Sequence, residues 1–162
     1  MRCSGEKWSF SSTRAPIWII FDVYICLTLM GNRLRVSMGP LEPANLAIRG
    51  RLMRQIRDEQ VPQAQALKPD LVTVGAGVND ALRRTFSLDV VCTDLENSVR
   101  DLTVAGSHVL LFAYGDPSRR SKALGRVADR MRAYRTATLD IAAAYGCTVV
   151  DFWGIALYDD TR

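Results

Sequence analysis

Three short polar stretches carry the side chains best suited to chemistry. Gly75-Ala-Gly-Val-Asn-Asp80 follows directly on apolar Leu71-Val-Thr-Val74, so its Asn-Asp pair falls where a strand hands over to a loop. Asn79 can aim an amide donor at a bound substrate, or the glycines can simply serve a chain reversal. Arg49-Gly50 and Tyr114-Gly-Asp-Pro117 are two further glycine-bearing loops with the same two readings. Other chemistries lack their residues. No Gly-x-Gly-x-x-Gly opens a helix after the first strand and no Gly-x-x-x-x-Gly-Lys-Ser/Thr occurs, so a phosphate cradle is missing its usual backbone. Cys3, Cys26, Cys92 and Cys147 lie far apart without a Cys-x-x-Cys pair, and His108 is the single histidine. No metal site is expected, and the cysteines read as buried or free thiols of a cytoplasmic protein.

The elements that must hold these loops can be read from periodicity. The 162 residues are 48% hydrophobic and 23% charged, which suits one globular domain with a proper core. The net charge is +4, but 21 basic residues are interspersed with 17 acidic ones, so no large field of one sign is required. Residues 1–16 are polar, and an apolar run, Ile17 to Met30, follows with Asp22 inside it. That run is too short to span a bilayer, and without a small-x-small cleavage site it reads as a buried β-branched strand rather than a secretory signal.

From about residue 41 the pattern becomes regular. Asn45 to Ile48 reads as a strand end, Arg49-Gly50 as a turn, and Leu52, Met53, Ile56, Ala66 and Leu67 as helical spacing that Pro62 should break or restart. A strand at Leu71 to Val74 precedes the Gly75–Asp80 loop. A helix from about Asp89 to Ala105, a strand from His108 to Ala113, a helix from about Ser121 to Tyr145 and a strand from Cys147 to Phe152 complete the series. Continuous apolar strands separated by amphipathic helices imply a parallel sheet covered on both faces. The polar loops would then gather beyond the carboxyl ends of the strands, where such sheets bind ligands.

Taken together, Asn45-Leu-Ala-Ile-Arg-Gly50, Pro69-Asp-Leu-Val-Thr-Val-Gly-Ala-Gly-Val-Asn-Asp80, the strand ending near Asp116-Pro117 and Val149-Val-Asp-Phe-Trp-Gly154 resemble the middle of an SGNH/GDSL hydrolase of the bacterial esterase type. The resemblance covers roughly residues 41 to 158. It implies a flavodoxin-like three-layer α/β/α sandwich that hydrolyses small esters without a cofactor, here incomplete at both ends. By the same resemblance Gly50 and Asn79 are the oxyanion donors, and Asp80 orders the loop. The residue types fit: ester hydrolysis passes through a tetrahedral oxyanion, and fixed N–H donors stabilise it by about a few kcal/mol each.

The other catalytic blocks do not appear. No Gly-Asp-Ser occurs, and alignment of Ile19-Ile-Phe-Asp-Val23 with that block puts Val23 at the nucleophile position. The chain stops at Asp159-Asp-Thr-Arg162 before any Asp-x-x-His, and His108 should begin a strand at the opposite sheet edge. Asp151 reads as a strand-end residue. Residues 1–40 are therefore expected to be a divergent segment, non-native in origin, ahead of a partial hydrolase domain at 41–162. Loss of pattern before residue 41 favours a fragment over a non-catalytic relative that keeps the pocket for binding. A second class of function rests on Arg119, Arg120, Lys122, Arg126, Arg130, Arg132 and Arg135, which crowd one helix. They could bind nucleic acid or an anionic lipid surface, but no aromatic residues interleave on the exposed side, so neither partner is the expected one.

Overall fold

In the computed structural model, which describes residues 17–20, 42–119 and 122–153, five strands run parallel in one sheet. They are β1 (Ile17–Ile20), β2 (Glu42–Asn45), β3 (Leu71–Val74), β4 (His108–Ala113) and β5 (Thr148–Asp151), in the order β2-β1-β3-β4-β5. The chain leaves β1 for β2 on one side, and β3 pairs with β1 on the other. The carboxyl ends of β1, β2 and β3 therefore surround the topological switch point, the usual ligand crevice of an open α/β sheet.

The second strand lies three residues earlier than the sequence pattern implies. The pattern favours the apolar Leu46-Ala47-Ile48, but the Asn45 side-chain oxygen accepts from Ala47 N–H at 2.9 Å and turns the chain there. Pro43 is tolerated in β2 because this is an edge strand.

A helical run follows in three parts: α1 (Met53–Gln55), a π turn (Ile56–Gln60) and α2 (Val61–Leu67). Pro62 restarts this run, one of the two outcomes expected of it, and does not end it. It stands in the first turn of α2, where its missing N–H is tolerated, and Val61 N–H instead reaches back to Ile56 O across the wider π turn. The one-turn helix α3 (Val78–Ala81) comes straight after β3, where a plain loop is expected. Then come α4 (Leu88–Val104) and α5 (Gly125–Tyr145), the latter preceded by 3-10 turns at Pro117–Arg119 and Lys122–Leu124.

The two faces of the sheet follow from its register. Val72 and Val74 lie beside Val109 and Leu111, and all four pack in one cluster with Met53 and Ile56, with Val91, Leu95 and Val99 of α4, and with Tyr134 and Ile141 of α5. On α5 the buried seam runs through Ala128, Met131, Tyr134, Thr138, Ile141 and Ala142; Leu124 and Val127, expected on it, are half-buried. Leu71 and Thr73 point the other way and are buried as well, so β3 has both faces covered, as its unbroken apolar sequence requires. On that second face Phe112 stacks on Phe152 with ring centroids 5.8 Å apart. No helix among the described residues is long and apolar enough to cross a membrane.

Candidate active site

Gly50 and Asn79, separated by 28 residues of intervening chain, meet at the carboxyl edge of the sheet. The Arg49-Gly50 turn follows β2, and Gly50 adopts φ +84°, a left-handed conformation that costs a side-chain-bearing residue about 1–2 kcal/mol. Among the described residues nothing lies within 4 Å of where a Gly50 side chain would begin, so the glycine serves the turn. Asn79 sits on α3, which forms because Gly77 at φ +89° turns the chain sharply off β3 and lets Ala81 N–H return to Gly77 O at 3.0 Å. The Asn79 Nδ2 donates to Arg51 O at 3.0 Å. One amide hydrogen is thus used to fix the side chain beside the residue that follows Gly50. The second amide hydrogen makes no bond among the described residues.

Asp80 fastens the same two loops from beneath. Its Oδ2 accepts from Met53 N–H at 3.0 Å, while Gln55 Oε1 accepts from Leu52 N–H at 3.0 Å. These two side chains cap the start of α1, which Leu52 at the capping position has no polar atom to do. Asp80 is only 9% exposed, and burial pushes its carboxyl above the ordinary range against the pull of the Met53 hydrogen bond. Arg51 reaches across the loop to a paired contact with Glu59, at 2.9 and 3.1 Å.

The remaining sequence-derived positions fall elsewhere. His108 begins β4 opposite Leu71, the first residue of β3, and so stands a strand length from the carboxyl-end loops. Its Nε2 lies 2.9 Å from Thr148 Oγ1, and burial lowers its pKa. Asp151 ends β5, but Arg135 grips both its oxygens, with contacts at 2.5, 3.0 and 3.1 Å, and this pair holds the carboxyl below the usual range. Val23 lies outside the described residues. Cys92 and Cys147 are free and half-buried. Among the described residues no cluster of His, Cys, Asp and Glu is placed to hold a metal.

Three of the four arginines of α5 make contacts within the chain. Arg130 Nη1 donates to Ala81 O and Arg83 O at 2.9 and 2.8 Å and its guanidinium lies over Phe86. Arg132 meets Asp129 and Trp153, and Arg135 joins Asp151. The basic pattern marks Arg130 only as one of a crowded helix, whereas it acts on backbone carbonyls 47 and 49 residues away.

Residues 26–162 match the GDSL-like Lipase/Acylhydrolase family. The chain belongs to this family. The match begins well upstream of residue 41, where the motif resemblance starts. Among solved structures, the fold is similar to a lipase/acylhydrolase from Enterococcus faecalis, with 21% identity, TM-score 0.67, and 85% of this chain and 76% of that one covered. It is also similar to an alpha/beta hydrolase enzyme from the metagenome of Lake Arreo, with 20% identity, TM-score 0.71, and coverage of 86% and 78%. A catalytic mutant of an acetylxylan esterase from Geobacillus stearothermophilus superposes with TM-score 0.72 at 16% identity, covering 89% and 78%. No curated protein matches the sequence. In this family setting the Gly50, Asn79 and Asp80 loops occupy one continuous edge of a GDSL-type sheet.

Proposed function

We propose that this chain is an SGNH/GDSL-type ester hydrolase domain in which the Gly50 backbone N–H and the Asn79 side-chain amide bind the oxyanion of a small ester, and that as it stands it turns esters over at no more than a trace rate. The hydrogen bond from Asn79 to Arg51 O carries the first half of this reading, because it fixes, beside the Gly50 turn, an amide whose second hydrogen makes no bond among the described residues. Preorganised donors of this kind need no rearrangement as charge develops on the carbonyl oxygen, which is why they act on the transition state.

The second half rests on what stands beside those donors. The sequence contains no Gly-Asp-Ser, and its one histidine is at the amino end of β4. Donors without a nucleophile and base leave at most about 10³- to 10⁴-fold acceleration over water. The domain division at residue 41 belongs to the same proposal, while the family match extends upstream of it to residue 26 and Ile17–Ile20 already lies in the sheet.

Hydrolysis of p-nitrophenyl acetate by the whole chain tests it, together with an NMR titration of acetate that follows the Gly50 N–H and the Asn79 amide. Selective shifts at those two groups with trace turnover are expected. Turnover at ordinary enzyme rates that Asn79→Ala abolishes would overturn the inactivity, and the lack of acetate shifts at Gly50 and Asn79 would overturn the donor assignment.

A further inference from the structure

The turn that carries Asn79 is too short to hold itself. Closing a first helical turn fixes about six dihedrals for one hydrogen bond, so the four residues of α3 persist only where contacts from other elements hold them. Two such contacts come from the α1 side, where Asn79 Nδ2 donates to Arg51 O and Asp80 Oδ2 accepts from Met53 N–H. The others come from α5.

Two side chains of α5, four residues apart and therefore on one helix face, meet the two ends of α3. Tyr134 takes the start. Its ring packs against Gly77, the residue before α3, so closely that a side-chain carbon there would fall 2.3 Å from Cε1 and 2.7 Å from Oη. Tyr134 is 4% exposed and belongs to the main core, so the surface it offers to Gly77 is a fixed one. Arg130 takes the other end. Its Nη1 donates to Ala81 O at 2.9 Å and to Arg83 O at 2.8 Å, and its guanidinium lies 5.3 Å from the Phe86 ring centroid. A cation suits the carbonyl end of a helical turn, and hydrogen bonds from a charged donor are roughly twice as strong as neutral ones.

From these two grips on one short turn, we propose that Arg130 and Tyr134 are positioning residues, which hold α3 at both ends so that the Asn79 amide stays on Arg51 O beside the Gly50 turn. A donor held in advance needs no reorganisation when charge develops in front of it. That the positioned amide receives an oxyanion rests on the reading above; the hold on α3 does not.

The test uses the full chain, ¹⁵N-labelled, and follows solvent exchange of the Asn79 Nδ2 hydrogen bonded to Arg51 O. In Arg130→Ala it should exchange faster by about tenfold or more, the worth of one charge-assisted hydrogen bond. The backbone amides of β3 and β4 should speed up only as far as the loss of global stability in urea accounts for. Ethylguanidinium added to Arg130→Ala should restore slow exchange at Asn79, which a general loss of stability would not permit. Tyr134→Leu should loosen the same hydrogen, whereas Tyr134→Phe keeps the ring against Gly77 and should not. Acetate should bind Arg130→Ala about tenfold more weakly than the wild type, in step with the exchange.

Exchange at Asn79 that rises only with the strand amides, or that ethylguanidinium leaves fast, would overturn the hold by Arg130. A Tyr134→Phe as loose as Tyr134→Leu would overturn the part played by the ring, and undiminished acetate affinity in a loosened variant would overturn the link to the donor. A wild type in which acetate leaves Asn79 unshifted would instead sink the donor reading, and the exchange rates would still decide whether α5 holds the turn.

Discussion

Gly77→Ala is the substitution for which the structure gives the sharpest expectation. Gly77, three residues past the end of β3, has φ +89° and starts the single turn that carries Asn79 and Asp80. A Cβ there would lie 2.3 Å from Tyr134 Cε1, 2.4 Å from Cζ and 2.7 Å from Oη. Tyr134 is 4% exposed within the main core, so its ring has no free volume into which to retreat. The left-handed backbone alone costs alanine about 1–2 kcal/mol, and forced overpacking of a dense core adds about 1–3 kcal/mol. Together these predict a loss of about 2–5 kcal/mol, a shift of about 1 M or more in the urea midpoint at an m-value of about 1–3 kcal/mol/M.

Gly50→Ala is the internal control. Its φ of +84° is nearly the same, but among the described residues nothing lies within 4 Å of the new carbon, so only the conformational cost of about 1–2 kcal/mol should appear. Urea denaturation of the two variants, and of Gly77→Ala combined with Tyr134→Ala, separates the two contributions. The double variant should be less destabilised than the sum of the singles, because the collision has been removed. If Gly77→Ala costs no more than Gly50→Ala, the Tyr134 ring yields freely and the packing argument fails.

Two more outcomes follow from groups around the sheet. Asp80→Ala removes the acceptor for Met53 N–H and leaves a buried donor without a partner, a loss of about 1–3 kcal/mol, whereas Asp80→Asn keeps an oxygen there and discards a charge that burial disfavours. Denaturation midpoints should therefore rank the wild type and Asp80→Asn above Asp80→Ala; an Asp80→Asn as unstable as Asp80→Ala would show that the charge matters. Burial depresses the folded-state pKa of His108 below its unfolded value of 6.5, so below that pH the unfolded chain takes up the proton first. This contribution is fully present above pH 6.5 and is lost as pH falls toward the folded pKa, and His108→Gln should flatten the fall in urea midpoint between pH 7.5 and 5. An unchanged slope in that variant would refute the assignment.

The fold was legible where one physical requirement dominated. His108 to Ala113 and Leu71 to Val74 read as buried parallel strands because their apolar residues are unbroken, and both bounds match the structure. The helix α4 was legible because Val91, Leu95, Val99 and Leu102 repeat on one face. Legibility failed where two signals competed. Apolar Leu46 to Ile48 outweighed the Asn45 side chain in the pattern, yet that side chain ends the strand. Pro62 left a break and a restart both open, and only the π turn before it shows the restart. Basic residues on α5 suggested a charged face, but Arg130 and Arg135 are committed to loop carbonyls and to Asp151.

By itself the sequence determined the element types, the parallel arrangement and the positions of Gly50 and Asn79 at strand ends, because hydrophobic period and glycine placement are local properties of the chain. It also determined that no Gly-Asp-Ser block is present, since that is a matter of composition. Only the tertiary structure decided that Asn79 donates to Arg51 O, that Asp80 caps a helix beginning at Met53, that Gly77 lies against Tyr134 and that Arg130 braces the loop beyond Asp80. Each of these joins residues 27 to 57 positions apart across separate elements, and a side chain's partner at that range depends on how strands and helices pack, which no local pattern encodes.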